Sequence, residues 1–316
     1  MYALIEVVLA IAILWGIRLM GAPETAARGN RLAASSLLLA ILLVLWPNTI
    51  LTLPILLVSL AVGSVLGGIL ALRVTMLQMP QMVALLNGLG GAASMLTAFV
   101  AFDAVSGTAR FQGIVTGGLA VAVGGVTLSG SLVAAAKLHG LLPQKPVRLP
   151  FGPRVLAATL VILLFPLILS GGHWTTPQAI EWMAFVAVCS LLFGAAFTLP
   201  VGGADMPITI SLLNSMSGVA ASICGFVVDD AFLVAAGAIV GAAGLILTQV
   251  MCGAINRSLR QVLTGATVAA PNAPGAAPRP AAQDHEPGLA GQNSPPAFDP
   301  AKSLLAARKV IIVPGY

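Results

Sequence analysis

Apolar stretches broken by short polar or Gly/Pro-bearing connections occupy the first ~260 residues, and their lengths predict membrane-crossing helices. At 1.5 Å of rise per residue, a hydrocarbon core of ~30 Å needs about 20 apolar residues. Runs of that size predict about nine helices, at roughly 3–20, 32–50, 52–72, 81–102, 112–136, 154–170, 179–199, 207–228 and 231–252. Pro47-Asn48 breaks the second run early. The expected fold is an all-α polytopic membrane protein.

Two of these runs open on nearly the same pattern, 127 residues apart. Met79-Pro80 leads to Leu85-Leu86-Asn87 and Gly91-Ala92-Ala93, and Met206-Pro207 leads to Leu212-Leu213-Asn214 and Gly218-Val219-Ala220. Seven of the 15 aligned positions are identical. Each Asn follows its Pro by seven residues, which places it about 10–12 Å into the helix. An unpaired amide at that depth is costly, so a repeated pair reads either as glue between helices or as part of a water-lined polar path. An amide can hold a water and pass hydrogen bonds on, but it does not itself carry a proton.

Charge sets the expected orientation. Arg18, Arg28, Arg31, Arg73, Lys137, Lys145, Arg148, Arg154, Arg257 and Arg260 fall on one side of the alternating connections, and only Arg110 on the other. This bias puts the amino terminus outside, the carboxyl tail in the cytoplasm, and both repeated segments starting on the cytoplasmic side, a parallel duplication. It also accounts for the net charge of +5 without nucleic acid. With 58% hydrophobic and 8% charged residues the chain is far from a soluble globular composition. The amino terminus lacks the basic region and cleavage site of a secretory signal, so the first span is expected to be retained. Cys189, Cys224 and Cys252 form no CxxC and read as small buried hydrophobes.

After Arg260 the composition turns to Pro, Ala, Gly and polar residues. The expected division is a transmembrane domain over 1–262, a linker over 263–300, and over 301–316 the start of a Rossmann-like domain cut short. Val310-Ile311-Ile312-Val313 reads as its first strand, arriving with Gly315 at a ligand-binding turn.

Few residues carry chemistry. Asp205 precedes the helix bearing Asn214, where it reads as an N-cap, a proton-exchange group, or both. Glu6 lies one or two turns into the first span and either snorkels outward or serves as an entry carboxylate. The three histidines, His139, His173 and His285, fall in loops, helix ends or tail. Any titrating group at the midplane must then come from elsewhere, such as another subunit. Ser131 in the fifth span can bond water as well as its own backbone, whereas Gly117-Gly118, Gly124-Gly125 and Gly237, Gly241 and Gly244 read as close helix packing. There is no Walker lysine motif, HExxH or intramembrane Ser/His/Asp set, and neither catalytic nor metal-ligating residues are expected.

The stretches RVTMLQMPQMVALLNGLGGAAS, GGVTLSGSLVAAAKL, GGADMPITISLLNSMSG, GAIVGAAG and MCGAINRS, ending in KVIIVPGY, closely resemble the beta subunit of proton-translocating NAD(P) transhydrogenase. The resemblance covers essentially the whole chain apart from the linker. It implies a membrane sector that conducts protons, coupled to hydride transfer between NAD(H) on an alpha subunit and NADP(H) on the carboxyl-terminal domain of the beta subunit. The setting it implies is the cell inner (cytoplasmic) membrane, with the alpha subunit and the lipid bilayer as partners and a dimer of alpha–beta units as the assembly. Asn87, Ser131, Asp205 and Asn214 match positions of that family's proton path, and Gly237, Gly241, Gly244 and Arg257 match positions tied to coupling with the nucleotide domain. Asn87 stands where some members have His, which implies a titrating group on the partner's membrane helices. The NADP(H) domain stops at Pro314-Gly315-Tyr316, so this polypeptide is not expected to bind NADP(H) or catalyse hydride transfer by itself. Two other classes fit the pattern: a secondary transporter or permease, betrayed by solute uptake without nicotinamide dependence, and a non-catalytic scaffold for the alpha subunit.

Overall fold

A computed structural model of the protein describes residues 2–45, 54–102, 109–147 and 176–264. Among them all regular structure is helical: α1 (Tyr2–Met20), α2 (Pro23–Leu45), α3 (Pro54–Arg73), α4 (Met79–Phe102), α5 (Ala109–His139), α6 (Thr176–Thr198), α7 (Met206–Val227), α8 (Ala231–Ala254) and the short α9 (Leu259–Leu263). Seven of these, α2 to α8, are long and apolar enough to cross a membrane, and α1 adds a shorter apolar stretch, Val7–Met20. The span expected at 154–170 and the segment 301–316 lie outside the described residues, as does the linker beyond Thr264.

The chain divides into two compact units, residues 1–75 and 76–316. In the first, α1 and α2 form a hairpin joined only through Gly21 and Ala22. The second helix therefore starts nine residues before the expected position of 32, and Arg28 and Arg31 sit on it rather than in a connection. Helix propensity explains the difference: Pro23 suits a first turn, Glu24 complements the dipole, and alanines follow, so the helix outruns its apolar stretch. The two helices cross at glycine, where a Cβ on Gly29 would lie 2.5 Å from the Gly16 carbonyl oxygen. Thr25 donates to the Leu19 carbonyl at 2.6 Å and closes the turn between them. Helix α3 buries none of its residues.

The second unit is built around α5. Helix α4 packs along it as a hairpin, α6 and α7 lie against it, α7 also contacts α4, and α8 packs on α7. The glycines of α5 point at different neighbours. A Cβ on Gly124 would lie 2.5 Å from the Gly91 carbonyl of α4, and one on Gly118 would meet the Trp182 ring of α6 at 2.1 Å. A small side chain is thus required on several faces at once, which no amphipathic periodicity would show. The internal repeat extends beyond one helix: a 3-10 turn precedes each copy, Met76–Gln78 before α4 and Gly203–Asp205 before α7. Gly91 meets Gly124 as its counterpart Gly218 meets Gly241, so each copy packs against its following helix at the same position of the repeat.

Candidate functional site

One polar layer crosses the second unit where α4, α5, α6 and α7 meet. Asn87 of α4, 8% exposed, donates from Nδ2 to the Ile210 carbonyl of α7 at 3.3 Å. Its neighbour Gly88 admits α5, for a Cβ there would stand 3.1 Å from that of Ser131. Gly130 in turn admits α6 and α7, with Thr198 Oγ1 and Leu213 Cδ2 each 2.9 Å from where its Cβ would be. Asn87 is therefore a tie between two helices that begin in the same repeat.

Several hydroxyls in this unit bond back to their own helix, as Thr127 does to Val123 at 2.7 Å and Ser129 to Gly125 at 3.1 Å. Ser131, Thr198 and Thr209 do not: each Oγ is buried and without a hydrogen-bond partner among the described residues. A buried hydroxyl left unpaired costs about 1–3 kcal/mol. It also remains both donor and acceptor, the capacity a proton relay through bound water requires. Asn214, one turn beyond Ile210, is partly exposed, and its side chain makes no hydrogen bond to a described residue. The repeat thus places two amides at equal depth in different surroundings.

At the end of the unit where α7 begins, Asp205 occupies the N-cap position of α7, but its side chain makes no capping bond. The carboxylate instead pairs with the Arg257 guanidinium, just past α8. Asp230 shows the contrast: it caps α8 by accepting from the Phe232 and Leu233 amides at 2.9 and 3.0 Å. Arg257 is delivered by a left-handed turn at Asn256, φ 51°, a residue type that tolerates it. The Arg257 amide then donates to the Cys252 carbonyl at 3.0 Å. A capping box between Ser258 and Gln261 starts α9, whose Val262 is buried in one core with Ala134 of α5, Val201, and Met206 of α7. The ion pair therefore joins the mouth of α7 to the stretch between α8 and α9.

The opposite face of α7 carries a glycine seam. A Cβ on Gly218 would stand 2.5 Å from the Gly241 amide nitrogen, and one on Gly244 would stand 2.9 Å from Ser215 Cα. Hydroxyls close the seam, Ser215 donating to the Gly241 carbonyl at 2.5 Å and Thr248 to Ser211 Oγ at 3.1 Å. Gly237, Gly241 and Gly244 are packing glycines, as their spacing suggested. Cys224 and Cys252 are buried free thiols.

The structure brings Asn87 and Ser131 into one layer, and unites Asp205 with Arg257 across 52 positions of sequence. It also corrects the placement of Lys137, which was counted among the cations of the connections but is fully buried and bonded to the Leu199 and Val201 carbonyls. Sequence reasoning also missed Thr198 and Thr209, since nothing local separates a back-bonded hydroxyl from an orphaned one. His139 ends α5, its Nδ1 lying 3.1 Å from Gln81 Oε1. His173, His285 and Gly315 lie outside the described residues, as does the side chain of Glu6. Among the described residues no cluster of three or more His, Cys, Asp or Glu could hold a metal.

A repeated helix start, apolar outer surfaces, a buried polar layer and an ion pair at the mouth of α7 define a polytopic helical membrane protein. The family model described as NAD(P) transhydrogenase beta subunit matches residues 2–316, and the chain belongs to that family. It is similar to the NAD(P) transhydrogenase subunit beta of Rhodospirillum rubrum, 34% identical over 322 residues covering 98% of this chain and 66% of the relative. A second Rhodospirillum rubrum protein of the same name matches with the same values. The chain thus spans just under two thirds of the length of these relatives.

Proposed function

We propose that this chain is the proton-conducting membrane sector of a transhydrogenase beta subunit, coupling proton movement to hydride transfer between NAD(H) and NADP(H). The Asp205–Arg257 pair carries the reading, because it links the helix bearing Asn214 to the connection that leads toward the nucleotide domain. The path runs along Asn87, Ser131 and Asn214 and reaches Asp205 at the cytoplasmic end. Thr198, its Oγ1 2.9 Å from where a Gly130 Cβ would stand, adds a hydroxyl beside Ser131, and Thr209 carries another unpartnered one next to Ile210 in sequence. Asn87 and Asn214 orient water by hydrogen bonding, and the hydroxyls pass protons without changing charge.

Nine spans, with the amino terminus outside and the carboxyl terminus cytoplasmic, agree with cations at the ends of alternate helices, Arg18 on α1, Arg73 on α3 and Lys137 on α5. The two spans beyond the seven are α1 and 154–170. Residues 1–262 form the membrane domain, 263–300 the linker, and 301–316, with Gly315, begin the NADP(H) domain. NADP(H) bound to the complete domain would supply the hydride chemistry. The membrane residues act on it through Arg257 and the Gly237, Gly241 and Gly244 seam, by shifting which of two states the protein occupies. The partner is an alpha subunit that binds NAD(H), in a dimer of alpha–beta units of the inner membrane.

Asn214→Leu in the full-length complex tests this. Proton uptake by vesicles during hydride transfer should fall together with the coupled rate, while NADP(H) binding in detergent persists. Coupled turnover at the normal rate would refute the path.

A further inference from the structure

Helix α5 ends in a charge that the path does not use. Lys137 is 0% exposed, and its ammonium donates to the carbonyls of Leu199 and Val201, the latter at 2.8 Å. A lysine at a helix end has a stem long enough to reach water. This one is turned inward onto a different segment of the chain. No carboxylate pairs with it: among the described residues the one carboxylate in an ion pair is Asp205, engaged by Arg257.

The receiving segment follows the last turn of α6, where helix carbonyls lack intrahelical partners and a cation is favoured. It is held at two further points. The Val147 amide donates to the Leu199 carbonyl at 3.2 Å, and the Gly203 amide donates to the Gln144 carbonyl at 2.8 Å. Residues 137–147 thus grip residues 199–203 from one side. The 3-10 turn Gly203–Asp205 starts where that grip ends. Since the Asp205 side chain makes no capping bond to its own helix, its carboxylate is placed by the segment before it and by Arg257.

Lys137 also shares α5 with Ser131, six residues away, about 9 Å along the axis. Charge-assisted bonds are roughly twice as strong as neutral ones, so a shift of α5 would carry residues 199–203 with it. We infer that Lys137 is a positioning residue for the Asp205–Arg257 pair, transmitting displacement of α5 at the polar layer to the carboxylate at the mouth of α7. This rests on the proposed proton path and adds a residue to its coupling.

The experiment uses the full-length alpha–beta complex with Lys137→Met, Lys137→Arg, Asp205→Asn and the Lys137→Met/Asp205→Asn double variant. It reads the rate of proton-coupled hydride transfer and the hydrogen exchange of the Gly203, Asp205 and Met206 amides. Lys137→Met should lose about tenfold or more in coupled rate, the scale of a charged hydrogen bond, and should speed exchange at those amides. Lys137→Arg should recover most of both, and the double variant should be no slower than the slower single. If Lys137→Met does not assemble, Lys137→Gln, which keeps part of the donor set, should show the same effects at smaller size. Unchanged exchange at those amides, or losses that multiply in the double variant, would overturn the inference. So would a normal rate in Lys137→Met alongside an impaired Asp205→Asn. A normal rate in Asp205→Asn itself would sink the path and with it the coupling role of Lys137, while the exchange data would report the tie separately.

Discussion

Gly218→Ala offers a measurable test of how α7 and α8 are held together. The added Cβ would stand 2.5 Å from the Gly241 nitrogen and 2.9 Å from both the Gly237 carbonyl oxygen and Gly241 Cα, all backbone atoms that no rotamer change can move. Ordinary contact begins near 3.4 Å, so the helices must separate by roughly 0.9 Å at that level. Overpacking of this kind costs about 1–3 kcal/mol. The same separation stretches the bond from Ser211 to the Gly244 carbonyl, already 3.3 Å, beyond useful length, and weakens that from Thr248 to Ser211 at 3.1 Å. At ~0.6 kcal/mol for each interhelical bond in a membrane protein, the total reaches about 2–4 kcal/mol.

The protein carries its own probe of that opening, because Cys252 lies buried on α8 in line with Gly241, Gly244 and Thr248, whereas Cys224 of α7 lies against Thr97 of α4. A thiol-reactive fluorophore should label Cys252 roughly 30- to 700-fold faster in Gly218→Ala under conditions where opening limits the reaction, since each 1.4 kcal/mol is tenfold. Gly253→Ala is the control, for a Cβ there meets nothing within 4 Å. Cys189, half-buried on α6, should label at the same rate in both variants. Wild-type labelling of Cys252 in Gly218→Ala would show that the seam does not hold α7 to α8, and would refute the reasoning.

Removing an orphaned hydroxyl should separate stability from transport: Ser131→Ala should melt within about 1 kcal/mol of the parent, on either side, while slowing coupled turnover. Thr209→Val keeps the volume and removes an unpartnered oxygen, so its melting temperature should stay level or rise; a large drop would mean that the hydroxyl has a partner. The Asp205–Arg257 pair, 14% and 23% exposed, lies between exposed and buried extremes. Asp205→Asn or Arg257→Gln alone should each cost about 1–3 kcal/mol by thermal melting, and the double variant less than their sum. Gly118→Val drives a side chain into the Trp182 ring and should destabilise the α5–α6 contact; if its Trp fluorescence and melting match the parent, that packing is wrong.

What the sequence determined was everything written in one dimension. Apolar run length marked the helices, the repeat set Asn87 and Asn214 at one depth, and the glycine spacings of α8 announced a close seam, because each signal depends only on rise per residue and side-chain size. Even the start of α2 was present in Pro23-Glu24, but a search for apolar spans is blind to a polar first turn. Partner choice was not written there. Asn87 bonds a carbonyl 123 positions away, and Asp205 leaves its own helix for an arginine 52 positions on. Lys137 finds two carbonyls more than 60 residues away, where the usual behaviour of a lysine at a helix end pointed to water. These outcomes depend on which helix faces meet and how closely their glycines let them approach. In a membrane, apolar faces gain little from choosing one neighbour over another, so small residues and a few polar bonds decide the arrangement. That decision is a property of the assembled bundle, and only the tertiary structure contains it.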